Sequence, residues 1–322
     1  MVLCLLVVWL VPVGFPQTRG SFLDLYNQQN LAARAGALGV FAIGETFVII
    51  TGGIDLSVGS LIAFTGVLLG KLMSSPAFNA REGFGLPMYP AIALALGVAA
   101  LIGAFHGLLV SRLRMPPFVA TLGTMLALRS LALIISGQVA IPIPSADFAQ
   151  VYDAAPLGIP LPLIVLIIVG AAAAVLLRLT RLGRYVYAVG GNEQAARLSG
   201  VNVRGTKMFA YVASAFLAGV AGIIYASAVQ QGHPSSAIGY ELSAIAAAVI
   251  GGASLMGGLG TVLGTVVGAA ILTTILNVLQ LLMPLVFRAK ISPSLLEGAI
   301  VGALVILAVA LNILRQRGRE RE

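Results

Sequence analysis

Long uncharged, mostly apolar stretches recur along the chain at roughly twenty-residue spacing, with polar residues gathered in the gaps between them. A bilayer core about 30 Å thick is crossed by about 20 apolar residues in a helix. On that measure spans are predicted near 1–16, 32–52, 57–75, 89–111, 117–138, 160–179, 208–229, 242–258, 261–283 and 294–314. The stretch 242–287 carries no charge over 46 residues. As one helix it would be about 69 Å long at 1.5 Å per residue, more than two bilayer cores. It must turn, and Gly251, Gly252, Gly257, Gly258 and Gly260 mark the place. The expectation is an all-α polytopic membrane protein with about ten transmembrane helices and Gly-rich breaks, forming one transmembrane domain over residues 1–322.

Composition agrees with that pattern. Of the 322 residues, 59% are hydrophobic and 9% charged, against about 25% charged in a soluble domain. A soluble enzyme is excluded. The 38 glycines suit close helix approach in lipid, and Gly66/Gly70, Gly103/Gly107, Gly260/Gly264/Gly268 and Gly298/Gly302 have small-xxx-small spacing, read as packing faces. Cys4 is the single cysteine, so neither a disulfide framework nor a thiolate cluster is expected.

The net charge of +8 is explained by its distribution. With both termini inside, 12 Lys and Arg fall on the cytoplasmic side (Arg112, Arg114, Arg178, Arg181, Arg184, Arg197, Arg204, Lys207, Arg315, Arg317, Arg319, Arg321). Six fall outside (Arg19, Arg34, Lys71, Arg81, Arg288, Lys290), and Arg129 lies within a span. This positive-inside bias supports an even number of spans with cytoplasmic termini. No continuous basic face is left for nucleic acid. Residues 1–15 lack the basic start and the small-residue cleavage site of a signal peptide and read as a first membrane helix. A trimmed or misassigned start is the alternative there.

Two Gly-rich breaks stand out, at 51–60 and 251–260. Non-helical backbone at membrane depth survives only where protein or water satisfies it. The breaks are therefore either borders of a translocation path or cytoplasmic turns. The path candidates are Glu45, Thr51, Gly52, Gly53, Asp55, Ser57, Arg129, Gly251, Gly252 and Ser254. Asp55 is equally an N-cap candidate for the following helix. The 200-residue offset of the breaks leaves internal symmetry open. Glu45 and Arg129, each mid-span, read most simply as an inter-helix ion pair, with a polar wall as the alternative. His106 reads as a satisfied packing residue near the cytoplasmic end rather than a ligand. No metal-ligand spacing is present, so no metal and no cofactor is expected. There is no Gly-x-x-x-x-Gly-Lys-Ser/Thr loop for ATP, and Gly258-x-Gly260 lacks a third Gly because position 263 is Leu.

The longest cytoplasmic excursion is the loop near 180–207. Within it Asn192 reads as an N-cap, Glu193 complements the helix start and Gly200 reads as the stop. So short a helix is unstable alone in water. Without a strong apolar face it is expected to need a protein groove rather than a lipid surface, and the small Ala195 and Ala196 suit close docking.

Four ordered runs carry a family resemblance: GETFVIITGGIDLSVGS at 44–60, PFVATLGTM at 117–125, GRYVYAVGGNEQAARLSGV at 183–201 and GYELSAIAAAVIGGASLMGG at 239–258. Over about residues 30–314 the chain resembles the inner-membrane permeases of ribose-type ABC sugar importers. The resemblance implies a multi-pass permease that pairs with a second copy or homologue, two docked cytoplasmic ATP-binding domains, and an extracytoplasmic binding protein delivering a monosaccharide or similar polyol. It places the ATPase-coupling segment at Gly190, Gly191, Asn192, Glu193, Ala195, Ala196, Arg197 and Gly200. No catalytic residue is implied, since ATP hydrolysis would belong to a partner chain. The chain departs from the pattern at Ser130 where Gly is frequent, at Ser243 where Asp is frequent and at Glu297 where Lys is frequent, so the sugar's identity does not carry over. The rival class is an ion-coupled transporter working alone. It needs titratable groups near the midplane, and Glu45 is nearly all the sequence offers.

Overall fold

The computed structural model describes residues 2–74, 83–287 and 293–319. Its helices are α1 (Val2–Leu10), α2 (Pro16–Leu23), α3 (Leu25–Ile50), α4 (Val58–Met73), α5 (Met88–Ser111), α6 (Pro117–Ser136), α7 (Ala146–Asp153), α8 (Leu161–Leu179), α9 (Arg181–Gly191), α10 (Glu193–Leu198), α11 (Val203–Val229), α12 (Tyr240–Ile250), α13 (Val262–Phe287) and α14 (Pro293–Arg319). Two-residue strands β1 (Ile141–Pro142) and β2 (Gln231–Gly232) pair antiparallel, clasping the loop after α6 to the loop after α11. The expected outer cations Arg81, Arg288 and Lys290, and the inner Arg321, lie outside the described residues.

The chain is an all-α polytopic membrane protein. Among the described residues six helices are long and apolar enough to cross a membrane, α3, α5, α6, α8, α11 and most of α13. A seventh is reached if α1 and α2 count as one broken span. The straight helix expected over 1–16 does not form. Pro12 and Pro16 frame a 3₁₀ turn, and the two short helices meet at a 118° bend. Proline removes a backbone donor and sterically opposes helix continuation, which accounts for the break. Helices α4 and α12, with 16 and 11 residues, are about 24 and 17 Å long at 1.5 Å per residue, shorter than a bilayer core.

Helix α3 is the central strut. Asp24 caps it by accepting a bond from Tyr26 N at 3.1 Å, and its residues from Gly36 to Ile50 are buried against α8, α11, α12 and α13. Helix α11 packs along α5, α3 and α4. The tightest of these contacts is made by glycine. A Cβ on Gly103 would lie 2.6 Å from the Tyr211 carbonyl oxygen and 2.7 Å from Val212 Cα. One on Gly107 would lie 2.8 Å from Met208 Cα. The packing role expected for this pair holds, and Gly264 and Gly268 likewise meet Gly251 and Ala247. At Gly298 and Gly302 nothing lies within 4 Å among the described residues.

The α5–α11 seam gives a direct test. Gly103→Leu should cost about 1–3 kcal/mol or more through overpacking against backbone, read as a lower melting temperature and a smaller monodisperse fraction in detergent. Gly97→Ala, on the same helix with open space around it, should be neutral or stabilising by about 0.5–1 kcal/mol.

Candidate functional site

Both Gly-rich breaks start with the same local device. Helix α3 ends with Gly52 N donating to Ile49 O at 2.9 Å and Gly53 N to Val48 O at 3.0 Å, Gly52 having φ +78°. Helix α12 ends with Gly252 N donating to Val249 O at 2.9 Å and Ala253 N to Ala248 O at 2.9 Å, Gly252 having φ +92°. These are Schellman caps, which satisfy the last carbonyls of a helix and need a residue tolerant of the left-handed region. Each break is thus closed on its own backbone before it leaves the helix.

The first break then turns back beside α3. Asp55 N donates to Glu45 Oε1 at 3.2 Å, although the two residues are ten apart in the chain. Asp55 Oδ1 accepts from Ser57 N at 3.0 Å and Ser57 Oγ at 2.6 Å, and Oδ2 accepts from Ser214 Oγ of α11 at 3.0 Å. Thr121 Oγ1 of α6 donates to Ile54 O at 3.2 Å. Asp55 is therefore the centre of a turn that precedes α4 rather than its N-cap, which Ser57 occupies. His106 shares a 2.7 Å hydrogen bond with Thr124 Oγ1, and its ring lies 6.3 Å from that of Tyr211. Glu45 Oε2, His106 Nδ1 and Tyr211 Oη are buried without a hydrogen-bond partner. The His106 reading is half right: it packs, but one ring nitrogen is unsatisfied. No group of three His, Cys, Asp or Glu among the described residues is arranged to hold a metal.

Glu45 and Arg129 do not pair. Arg129 Nη1 donates to Pro234 O at 2.6 Å and Ser236 O at 2.8 Å, and the acid within electrostatic range is Glu241. Its task is to hold the loop between β2 and α12. That loop carries irregular backbone beside the apolar helices α4 and α6, and carbonyls there must find donors inside the protein. The sequence showed a lone mid-span cation but not a loop folded in to meet it.

The second break meets the first, and the loop at 180–207 meets both. Gly258 N donates to Ile50 O at 2.9 Å. A Cβ on Gly190, at the end of α9, would collide with the Ile50 carbonyl oxygen and lie 2.6 Å from Gly258 N. A Cβ on Gly257 would lie 2.7 Å from Gly190 O and 3.1 Å from Gly52 Cα. Tyr187 Oη of α9 donates to Gly260 O at 2.8 Å, and burial raises its phenol above the ordinary range. Of the other path candidates, Gly53, Gly251, Thr51 and Ser254 are buried near these contacts and Gly52 is exposed.

Helix α10 follows directly. Asn192 Oδ1 accepts from Ala195 N at 2.9 Å, Glu193 bonds Arg197 at 2.9 Å and Lys207 at 2.6 Å, and Gly200 N and Val201 N close a third Schellman cap on Arg197 O and Ala196 O. The hydrogen bond from Lys207 is the main cause that holds the Glu193 carboxyl below its ordinary range. One expectation is corrected here. Ala196 does not face a partner; it is buried against Val189, Val201 and Val203, so the helix has its own anchor. The outward residues are Gln194, Ala195, Arg197 and Leu198, the last 89% exposed. Beside them runs a groove of about 440 Å³ bordered by Arg114, Glu193, Gln194, Arg197, Arg204 and Lys207.

A separate cavity of about 380 Å³ opens among α3, α7, α11, α12, α13 and α14. None of the predicted path residues lines it. Arg34, Phe41, Tyr152, Tyr225, Tyr240 and Glu297 do. The available signal was the Arg34–Phe41 spacing of seven, which puts both on one face of α3.

Arg129→Gln should lower the melting temperature and folded yield, because two charge-assisted bonds of about 1.5–3 kcal/mol each are lost. Adding Glu45→Gln should deepen the loss additively. Rescue by the double change in a detergent melting assay would restore the ion-pair reading.

Residues 27–309 match the family described as branched-chain amino acid transport system / permease component. The chain is 39% identical over 247 residues to the ribose import permease protein RbsC of Haemophilus influenzae, covering 76% of this chain and 74% of that protein. It is 39% identical over 263 residues to RbsC of Escherichia coli, covering 80% and 79%. It is 40% identical over 242 residues to the inner membrane ABC transporter permease protein YjfF of Escherichia coli, covering 73% and 70%. No solved structure matches. Matched over residues 27–309, the chain belongs to this family of ABC-transporter permease components, the membrane-embedded transport subunits rather than the enzymes.

Proposed function

We propose that the chain imports a monosaccharide or similar polyol as one of two permeases, a second copy or a homologue being the other. Two cytoplasmic ATP-binding domains dock on the loop at 180–207, and an extracytoplasmic binding protein delivers the sugar. The relatives named for ribose import support the substrate class. The observation that carries the mechanism is the backbone contact of Gly190 with Ile50 and Gly258. Closure of the ATP-binding domains on α10 would move α9, and α9 bears directly on both breaks. The breaks would swing α3, α4 and α12 between outward-open and inward-open states. Glu45, Thr51, Gly52, Gly53, Asp55, Ser57, Gly251, Gly252 and Ser254 are then hinge and support groups of the path, with Arg129 supporting the loop before α12. Coupling runs through Gly191, Asn192, Glu193, Ala195, Arg197, Leu198 and Gly200, with Ala196 as the anchor beneath.

The test uses the reconstituted complex of permeases, ATP-binding domains and binding protein. Leu198→Asp should leave the permease folded, since the side chain is outside, yet abolish stimulation of ATP hydrolysis by loaded binding protein. Gly190→Val should preserve ATPase docking while cutting sugar uptake at least tenfold. Normal coupled uptake in both variants would remove the assigned role of the loop.

We further infer ten membrane crossings with both termini cytoplasmic, α4, α12, α14 and the α1–α2 pair joining the six long helices to complete the set. The 12 to 6 division of Lys and Arg supports this. Reporters fused after Arg317 and between Asn192 and Arg204 should both read cytoplasmic; an external reading of either requires an odd change in the count.

A further inference from the structure

The cavity among α3, α7, α11, α12, α13 and α14 has the chemistry of a binding chamber. Its floor is aromatic: Phe41 stacks on Tyr240 at 6.1 Å with an 8° interplanar angle, and Tyr225 sits edge-on to Tyr240 at 5.1 Å. Phe41 is fully buried and backs the two half-buried tyrosines, which present the aromatic surface to the cavity. The rim is polar. Arg34 Nη1 donates to Gln280 Oε1 at 3.1 Å, joining α3 to α13 across the opening, and Thr273, Ser243 and Glu297 complete the wall. A volume of about 380 Å³ equals roughly a dozen waters at about 30 Å³ each.

Position matters as much as chemistry. A second cavity of about 380 Å³, bordered by Ile238, Gly298 and Val301, shares Tyr240, Ser243 and Glu297 with the first. Those three side chains are the partition between two spaces.

A ligand for such a chamber needs an apolar face for the aromatic floor and hydroxyls that both donate and accept. Arg34 only donates, the Glu297 carboxylate only accepts, and Gln280, Thr273 and Ser243 do both. The opposed charges cancel, so neither an anion nor a cation is favoured overall. We propose that the chamber is a binding stop for one neutral monosaccharide within a single permease chain, and that Tyr240, Ser243 and Glu297 select which sugar passes to the adjoining cavity. This rests on the sugar-importer reading and goes beyond it, because selection would then occur in the permease as well as in the binding protein.

The experiment is equilibrium dialysis of D-ribose, D-xylose, D-glucose, D-galactose, glucosamine and glucuronate against the purified permease in nanodiscs, without ATP-binding domains or binding protein. The expected result is millimolar binding of at least one neutral aldose, in preference to glucosamine and glucuronate. Glu297→Gln and Ser243→Asp should each shift the ranking of the neutral aldoses at least fivefold, and the same shift should appear in KM ratios for uptake by the whole complex. Gln280→Leu should weaken all of them. Two outcomes overturn the proposal while leaving the importer reading intact. One is that the permease alone binds no aldose although the complex imports one. The other is that the charged sugars bind best. If the whole complex moves no aldose, the importer reading falls first and the chamber's assignment with it.

Discussion

Satisfying backbone polar groups without water is the constraint on which this fold rests. A membrane helix does so by itself, but this chain interrupts its helices repeatedly, and each interruption exposes donors and acceptors that lipid cannot satisfy. The molecule answers with a small set of internal partners. Schellman caps close the ends of α3 and α12, Gly258 N reaches Ile50 O, Thr121 reaches Ile54 O, and Arg129 takes two carbonyls of the loop before α12. Removing any of these leaves a polar group buried, at a cost of about 1–3 kcal/mol or more when the partner is charged.

The same constraint bears on the proposed coupling. Where Gly190, Gly52 and Gly257 come together, backbone touches backbone with no side chain between. Side chains change rotamer and absorb small displacements; bare peptide units do not. Under the proposed coupling, a shift of α9 by a fraction of an ångström would be passed to both breaks, and from them to α3 and α12. Tyr187, bonded to Gly260 O, adds a second link in parallel. The glycines serve motion here through close approach rather than through flexibility.

Much of this was legible in the sequence, and the remainder has physical reasons for having been hidden. The spans of α3, α5, α6, α8, α11 and α13 followed from uninterrupted apolar length, which is a local property. The cap and stop of α10 followed from Asn192 and Gly200, also local. The α1–α2 bend was missed because Pro12 and Pro16 were read inside an apolar block, where hydropathy hides helix breaking. The Glu45–Arg129 pairing failed for a different reason. Complementary charge is visible in a sequence, but carbonyl groups are present at every residue and give no signal of which ones lack a donor. Ala196 failed similarly, because its burial depends on Val189, Val201 and Val203 closing around it through the loop's own fold. The aromatic chamber draws on six elements, so no window of sequence could contain it.

The placement of the buried acids bears on how such a protein is driven. An ion-coupled transporter needs oxygens free to take an ion from one side and release it to the other. Here Asp55 has both carboxylate oxygens engaged by Ser57 and Ser214, and Glu45 Oε1 is engaged by the Asp55 amide. Among the described residues, the buried side-chain atoms left unengaged are Glu45 Oε2, His106 Nδ1, Ser111 Oγ and Tyr211 Oη, all sealed from solvent. The membrane-embedded polar groups are thus committed to holding the breaks in shape. This arrangement favours the ATP-driven reading over an ion-coupled one, and in the proposed mechanism the seam from α10 through Gly190 to both breaks would carry the movement.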